Sequence, residues 1–227
     1  MSTIDQKILD SLFRDIVKFY SSSQTSLITL RAIIKAVKFL ECEDDMFCVQ
    51  IREVCKIITN SQPRMFPIDN LIILLEHELK KNSYFEDKNI SVKKSGTIEI
   101  IEDLITRLNY DMRELANQGL DHITDGDFIV LHAVEEPVEL LLPEAKKMGK
   151  EFEVLILRQE SVKTNRVIKI MEENQIKFTV IPEWDLIHTF DKVTKLFIGA
   201  YAITADGRFV SDSGTSNIVS ECYIHKL

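Results

Sequence analysis

The second half of the chain alternates short apolar runs with helical stretches, and this alternation limits the fold more than any other feature. Four runs have the length and composition of buried strands: Phe128–Leu131, Val154–Leu157, Phe178–Ile181 and Leu196–Ile198. Stretches with helical periodicity separate them, at about 136–149, 161–174 and 184–192. Strand–helix–strand units of this spacing connect through right-handed crossovers, so we expect an α/β fold, a parallel sheet with helices on both faces. Ligands of such sheets bind beyond the carboxyl ends of the strands, here the loops 132–136, 158–162, 182–185 and 199–215.

The first ninety-five residues have the 3.6-residue period of amphipathic helices. Four helices are predicted, at about 4–19, 27–40, 49–58 and 68–81. Ser23 or Thr25 is placed to cap the second helix. Residues 82–95 are polar and predict a loop, and a long helix over 97–119 follows, with Gly119 as its C-terminal stop. The apolar faces are interpreted as core, with contact to a partner subunit as the alternative for at least one helix.

This pattern divides the chain into three parts. We expect a helical N-terminal domain at 1–95, a connecting long helix at 96–122 and an α/β domain at 123–227. No strand is expected in the first ninety residues.

The charge and the cysteines exclude several function classes. A net charge of −8 argues against direct nucleic-acid binding, which needs a basic face. Lys80-Lys81 and Lys93-Lys94 form a local basic patch or, alternatively, a solvated face. The chain has neither a targeting segment at its start nor a stretch long enough to span a membrane. Its four cysteines lack CxxC spacing and further ligands, so the sequence predicts reduced thiols of a cytoplasmic protein, with no metal and no cofactor.

A strand end and a hairpin signal stand close together near the C-terminus. The apolar run Leu196–Ile198 ends in Gly199-Ala200, as expected where a buried parallel strand reaches the edge of its sheet. Asp206-Gly207 then predicts a tight hairpin turn with positive φ values.

A possible helix start follows the hairpin. Gly214 permits close backbone approach, and Thr215 or Ser216 can cap a short helix. Free backbone N–H groups at such a helix start can cradle a phosphate. Gly214, Thr215 and Ser216 are therefore candidate ligand-binding residues, and a plain helix cap is the alternative interpretation.

Taken together, these segments resemble a known family. The matching residues are Ile198-Gly199-Ala200, Ile203, Ala205-Asp206-Gly207, Phe209 and Gly214-Thr215. The similarity extends upstream to Ile101–Leu108, Leu115–Ile123 and Asp127–Ala133. The pattern is similar to that of the translation initiation factor 2B regulatory subunits (alpha, beta and delta) and of their relatives, the methylthioribose-1-phosphate and ribose-1,5-bisphosphate isomerases. The resemblance covers about residues 100–222, and residues 1–95 only as a helical pattern. It implies a helical domain followed by a Rossmann-like sheet.

Two positions separate the chain from the isomerase branch of that family. The resemblance implies a catalytic Cys after the first strand and a partner Asp after Gly-Ala at the end of the fourth strand. Here Ala133 and Tyr201 stand at these positions, while His132 and Gly199-Ala200 are retained. Moving a proton or hydride at a sugar carbon needs an ionisable group on each side of it. We therefore expect no catalytic residue and no isomerase activity.

The residues that bind phosphate in related proteins are also different in this chain. Members that hold a phosphate tend to carry Ser-Arg shortly after the first strand, where this chain has Glu135-Glu136. A carboxylate pair repels a phosphate. Alternatively, with Pro137, the pair marks the N-terminus of a helix. Neither interpretation leaves an obvious anion site, so Gly214, Thr215 and Ser216 would form only a vestigial phosphate site.

The resemblance implies a non-catalytic regulatory subunit of the guanine-nucleotide exchange factor for translation initiation factor 2. The helix at 101–119 with Leu120–Ile123, together with Val138-Glu139, is most similar to beta. The expected partners are other initiation factor 2B subunits, in a homo- or hetero-oligomer, and the alpha subunit of initiation factor 2, whose phosphorylated form the complex senses. The alternative is a sugar-phosphate isomerase or a sugar-phosphate sensor of the same fold.

The chain stops at Ile224–Leu227, whereas family chains continue with another strand. A C-terminally shortened sheet would leave an apolar edge that needs a covering partner, and the alternative is a truncated sequence. We therefore expect the chain to work only within an assembly, through contacts near 199–227.

Overall fold

The computed structural model describes residues 3–81 and 89–227 and divides the chain into two compact units, Met1–Tyr110 and Asp111–Leu227. The predicted fold class is confirmed: the first unit is helical, and the second contains a four-stranded parallel sheet. The domain limits at residues 95 and 122 stay a prediction. Helix α5 runs through the division and contributes to both units.

The first unit consists of α1 Thr3–Phe19, α2 Ser22–Phe39, α3 Phe47–Thr59, α4 Phe66–Lys81 and the first part of α5 Ile90–Gly119. No strand occurs among the described residues of this unit, as the helical periodicity predicts. Its core draws fully buried side chains from four helices, among them Leu30, Ile33, Phe47, Leu75 and Ile101.

The cap of α2 differs from the prediction. Ser21, rather than Ser23 or Thr25, is the N-cap residue: the Gln24 amide donates to Ser21 Oγ at 3.2 Å. Gln24 Oε1 accepts from the Ser21 amide at 3.4 Å, which completes a capping box. Ser23 and Thr25 are buried inside the helix, so the sequence rule placed the cap two or four residues too late.

The loop predicted at 82–95 is wrong over its last part. Residues 82–88 lie outside the described residues, but α5 already begins at Ile90. Two acceptors satisfy its first amides: Asn89 Oδ1 accepts from Val92 N at 3.1 Å, and Asp44 Oδ1 accepts from Ile90 N at 2.7 Å. The Asp44 contact joins positions 46 residues apart and has no local signal in the sequence.

The second unit holds the sheet, in the order β3-β2-β1-β4 with all neighbours parallel. Its elements are the end of α5, β1 Asp127–His132, α6 Glu136–Lys147, β2 Phe152–Arg158, α7 Ser161–Glu173, β3 Lys177–Pro182, β4 Lys195–Ile198, β5 Ala202–Ile203, β6 Phe209–Val210 and α8 Thr215–Ile224. Short 3-10 helices lie at Leu120–His122 and Glu183–His188.

Alternate residues of β1 enter two different cores. Ile129 and Leu131 pack in a cluster with residues of α6 and α7, such as Leu142 and Val167. Val130 points the other way, into a cluster that includes Ile218 of α8 and residues near the second 3-10 helix. Both faces of the sheet are therefore covered, as predicted for strands that are apolar throughout.

Two local predictions need correction: the helix at 184–192 and the positive φ expected for both residues of the Asp206-Gly207 turn. The helix expected at 184–192 is a 3-10 helix at Glu183–His188, and the Thr189 amide closes it on Leu186 O at 2.9 Å. The hairpin at Asp206-Gly207 is confirmed, since β5 and β6 pair antiparallel. Of these two residues only Gly207 has a positive φ, 80°, because the connection is longer than a two-residue turn.

Candidate functional site

The candidate site lies where β1 and β4 end side by side. These strands are neighbours in the sheet although β2 and β3 come between them in the sequence, so the strand order reverses at β1. Open α/β sheets form their ligand crevice at such a reversal, beyond the carboxyl ends of the strands. His132 ends β1 and Ile198 ends β4, and these two residues are register partners. The loops that follow them therefore form this edge of the sheet.

Gly199 lets the two loops approach very closely. Its amide donates to Ala133 O at 3.0 Å, and a Cβ at this position would lie 2.0 Å from the same oxygen. Ser211 Oγ donates to Gly199 O at 2.6 Å and ties the next loop to the same point. Ala133 itself has φ 50°, a left-handed conformation uncommon for residues other than glycine. The edge is thus held by backbone contacts that allow no side chain at Gly199.

A carboxylate, Asp212, lies at the centre of a polar network at this edge. Lys163 Nζ donates to both of its oxygens, at 2.9 and 3.0 Å, and Gln159 Nε2 donates to Oδ2 at 3.2 Å. The Tyr201 hydroxyl donates to Oδ1 and lies 3.2 Å from Lys163 Nζ. Gln159 Oε1 in turn accepts from the Ala133 amide at 3.0 Å. The network therefore joins the ends of β1 and β2, helix α7 and the loops before and after the hairpin.

These contacts perturb the ionisation of the network. Burial by itself would raise the pKa of Asp212, but the hydrogen bonds from Tyr201 and Lys163 outweigh it and lower this pKa from its ordinary value. Burial and the bond to Asp212 both raise the pKa of the Tyr201 hydroxyl. Near neutral pH, Asp212 is therefore a carboxylate and Tyr201 is a neutral donor.

His132 is fully buried beneath this network. Its Nε2 lies 3.0 Å from Thr215 Oγ1, and Thr215 Oγ1 donates its proton to Asp212 O at 2.8 Å. Nε2 must therefore be the donor to Thr215. The other ring nitrogen, Nδ1, lies 3.3 Å from Glu183 Oε1 without hydrogen-bond geometry, and the neutral ring forms no ion pair with this carboxylate. Burial lowers the pKa of His132, against the opposing effect of Glu183, so this imidazole is a structural link.

A second, largely buried ion pair lies on the helix side of the edge. Arg166 Nε is 2.5 Å from Glu139 Oε1, and an Arg166 terminal nitrogen donates to Val134 O at 3.1 Å. Burial raises the pKa of Glu139, partly offset by Arg166. Arg166 and Lys163 lie one turn apart on α7, so two cations border a small pocket that Gln159 also lines.

The structure places the three candidate phosphate ligands at the start of α8. Gly214 is the N-cap residue with φ 91°, and no side chain caps this helix, so the predicted capping by Thr215 or Ser216 is wrong. The Thr215 hydroxyl is used within the protein by His132 and Asp212, while Ser216 is exposed. A Cβ on Gly214 would lie 3.1 Å from Glu183 Oε2, so a carboxylate is close to this helix start. The phosphate site stays a prediction.

The other positions named from the sequence also meet at this edge. Ala133 and Tyr201 connect to each other through Gln159 and Asp212. Glu135 is the N-cap residue of α6, which begins at Glu136 with Pro137 in its first turn. The helix-start interpretation of this acidic pair is therefore confirmed.

Sequence reasoning missed the residues that hold the network together. Gln159, Glu183 and Asp212 lie in loops predicted to border the site, but as single polar residues they carried no motif. Lys163 lies inside a helix, 49 positions from Asp212, and had no signal at all. A search for polar residues in the first turn of each crossover helix would have found it.

The described part of the chain contains neither a cluster of metal-binding side chains nor a membrane-spanning helix. Across residues 3–81 and 89–227, no group of three or more His, Cys, Asp and Glu side chains is placed to hold a metal ion. None of the described helices is long and apolar enough to cross a membrane.

The chain is similar to translation factor subunits and to a sugar-phosphate isomerase. It is 23% identical over 209 residues to the translation initiation factor eIF2B subunit delta of Dictyostelium discoideum, covering 89% of this chain and 33% of that protein. It is 22% identical over 184 residues to the ribose 1,5-bisphosphate isomerase of Archaeoglobus fulgidus, covering 80% of this chain and 56% of the isomerase. The chain spans less than half of the length of the first curated relatives it matches.

Comparison with solved structures supports the fold. A chain of the tetrameric eIF2B-beta2-delta2 complex from C. thermophilum superposes with a TM-score of 0.82 at 23% identity, covering 96% of this chain and 73% of that one. The model of the initiation factor 2 subunit family matches residues 19–225, which includes every element of the site described above. The chain therefore belongs to the initiation factor 2 subunit family.

Proposed function

We propose that this chain is a non-catalytic regulatory subunit in an assembly of the translation initiation factor 2B type. Membership of the family and similarity to delta and beta subunits support this role. The observation that carries the proposal is the closed polar network at the carboxyl end of the sheet. Tyr201, Asp212 and Lys163 bind one another there, at the place where an enzyme of this fold would expose reactive groups.

The chemistry of this edge does not suit an isomerase. Ala133 has no ionisable group at the position where the family resemblance implies a catalytic Cys. Tyr201 takes the position of the implied Asp, and its hydroxyl donates to Asp212. Because the pKa of Tyr201 is raised, it cannot remove a proton from a sugar carbon near neutral pH. We infer that neither half of the acid–base pair is present.

The proposed partners are other subunits of the same type. A related chain forms a beta2-delta2 tetramer, and we propose a comparable hetero-oligomer in the cytoplasm, with this chain in a beta-like position. Exposed apolar side chains of the second unit, including Ile203, Phe209 and Tyr223, suit the expected contact near 199–227. We further propose that the assembly senses the phosphorylated alpha subunit of initiation factor 2 and serves its guanine-nucleotide exchange.

Assembly is tested by co-expression with a delta-type and, separately, a beta-type subunit, followed by analytical ultracentrifugation. We expect a stable complex with the delta type. Tyr223→Asp should weaken it at least tenfold, whereas Phe39→Asp, at an equally exposed residue of the helical unit, should not (both side chains are 83% exposed). A folded monomer at micromolar concentration with either subunit would overturn the proposed role.

Catalysis is tested on methylthioribose-1-phosphate and ribose-1,5-bisphosphate. We expect turnover no faster than in a blank without protein. Measurable turnover that Lys163→Met abolishes would show a working site at this edge and contradict the non-catalytic assignment.

A second candidate function is the sensing of a sugar phosphate without catalysis. The small pocket beside the network is lined by Lys163 and Arg166 together with Gln159 and Thr164, and a phosphate ester would bind these cations by displacing their carboxylate partners, Asp212 and Glu139. Titration calorimetry with ribose-1,5-bisphosphate tests this candidate. Binding that is lost in Arg166→Met but not in the exposed Arg208→Met would support it.

A further inference from the structure

Asp212 is bound in the way that a receptor binds an anionic ligand. Its carboxylate accepts bonds from Lys163 on α7, from Gln159 at the end of β2 and from Tyr201 in the loop after β4. These donors lie on the crossover helix α7 and on the loops that follow β2 and β4. Asp212 itself lies in the segment between β6 and α8. The segment between β6 and α8 thus supplies the anion, and Lys163, Gln159 and Tyr201 supply the donors.

Contacts that do not involve the carboxylate orient part of this receptor. Gln159 Oε1 accepts from the Ala133 amide at 3.0 Å, which turns the Gln159 NH₂ group toward Asp212. The backbone amide of Gln159 donates to Thr164 Oγ1 at 3.0 Å, which fixes the backbone at Gln159. Lys163 lies in the first turn of α7, and its side chain is 28% exposed. Gln159 would therefore keep its arrangement without the aspartate.

We propose that Asp212 is an internal ligand: it occupies an anion receptor formed by Lys163, Gln159 and Tyr201 and thereby closes this edge of the sheet to external anions. The receptor is sized for a single carboxylate group, and the chemical class that would replace Asp212 is a small monocarboxylate. The proposal goes beyond the subunit role, since it concerns what the edge binds and does not depend on any partner.

The segment that carries Asp212 is tethered so that the carboxylate stays in place. Ser211 Oγ donates to Gly199 O, and Thr215 Oγ1 donates to the carbonyl of Asp212 itself. Thr215 is also bound by the buried His132. A ligand held by such tethers has a high effective concentration, which explains how an external anion at ordinary concentration is excluded.

Chemical rescue of the full-length chain tests the proposal. Asp212→Ala removes the carboxylate and retains the three donor residues, so its melting temperature should fall. With a dissociation constant of about 10 mM, about 100 mM sodium formate should raise the melting temperature by about 3–6 °C more than sodium chloride of the same ionic strength. The wild-type chain should show no difference between the two salts, because its receptor is occupied.

Two further variants decide the interpretation. In Lys163→Met/Asp212→Ala the rescue should disappear, since the cation that binds the formate is gone. If Asp212→Ala does not fold in chloride, the refolded yield in formate against chloride becomes the measurement, and the milder Asp212→Ser provides the same comparison. Equal behaviour of Asp212→Ala in the two salts, or a rescue that persists in the double variant, would overturn the proposal. Neither result depends on whether the chain joins an assembly.

Discussion

An ion pair at the start of the sheet stabilises the fold by an amount that can be approximated from the pKa of its carboxylate. The carboxylate of Asp127, the first residue of β1, accepts from Lys195 Nζ at 2.5 and 2.6 Å. It also accepts from the Thr124 amide at 2.6 Å and from Thr194 Oγ1 at 2.8 Å. Its side chain is only 5% exposed. The pair joins the first residues of β1 and β4, which are adjacent strands.

The size of the effect follows from the pKa of Asp127. Burial alone would raise this pKa, but Lys195, Thr124 and Thr194 outweigh it and lower the pKa from 3.8 to about 2. At about 1.4 kcal/mol per pKa unit this difference corresponds to about 2.5 kcal/mol, and the partial exposure of Lys195 reduces it to about 2 kcal/mol. Asp127→Asn, which keeps the size of the side chain, should therefore lower the free energy of unfolding by about 2 kcal/mol at pH 7.

The stabilisation by Asp127 should decrease as the pH falls. The folded-state pKa lies below the unfolded one, so the carboxylate stabilises the fold fully above the unfolded value of 3.8, and this stabilisation is lost as the pH falls toward about 2. Urea unfolding at pH 7, 5, 4 and 3 should therefore show the gap between wild type and Asp127→Asn narrowing below pH 4.

A matched control is Asp206→Asn, since Asp206 pairs with Arg208 at the exposed hairpin and should contribute much less. The reasoning is refuted if Asp127→Asn and Asp206→Asn cost the same at pH 7, or if the Asp127 gap stays constant down to pH 3.

Three further outcomes follow from the geometry. Gly199→Ala should lower the free energy of unfolding by about 3 kcal/mol in urea titrations, because its Cβ would meet Ala133 O, whereas Ala133→Gly should change it by less than about 1 kcal/mol; equal costs would refute the close approach. Ser21→Ala should cost about 1 kcal/mol through loss of the α2 cap, measured by thermal denaturation, and an unchanged melting temperature would contradict this. Tyr201→Phe should cost about 1–2 kcal/mol by removing a donor to Asp212, and should cost less in Asp212→Ala, where the hydroxyl keeps only its contact with Lys163.

The sequence predicted the fold well where periodicity determines it. All four parallel strands and both α-helical crossovers lie within a few residues of their predicted positions, because burial on both faces produces continuous apolar runs. Errors occurred where a distant residue decides a boundary. The early start of α5 depends on Asp44, and the third crossover forms a 3-10 helix where its composition suggested an α-helix.

The candidate site was predictable in place but not in composition. Topology alone put it beyond the ends of β1 and β4, and the family resemblance drew attention to Ala133 and Tyr201. The contacts of Tyr201 with Asp212 and Lys163 were not predictable, because they join residues up to 49 positions apart that match no motif. A sequence gives the chemistry of single side chains, whereas this site depends on which opposite charges meet after folding.

The reversal of strand order at β1 also has a kinetic consequence. β1 pairs with β2 across about 25 positions, as in Asp127↔Phe152, but the β1–β4 connection spans 66 positions between Phe128 and Thr194. Closing the longer loop costs more chain entropy, so we expect β1, β2 and β3 to associate before β4 docks. Until β4 docks, β1 is an edge strand, and the backbone amides and carbonyls on its free side are unpaired. The nascent chain is therefore most prone to strand-to-strand association in the interval before residues 195–198 are in place.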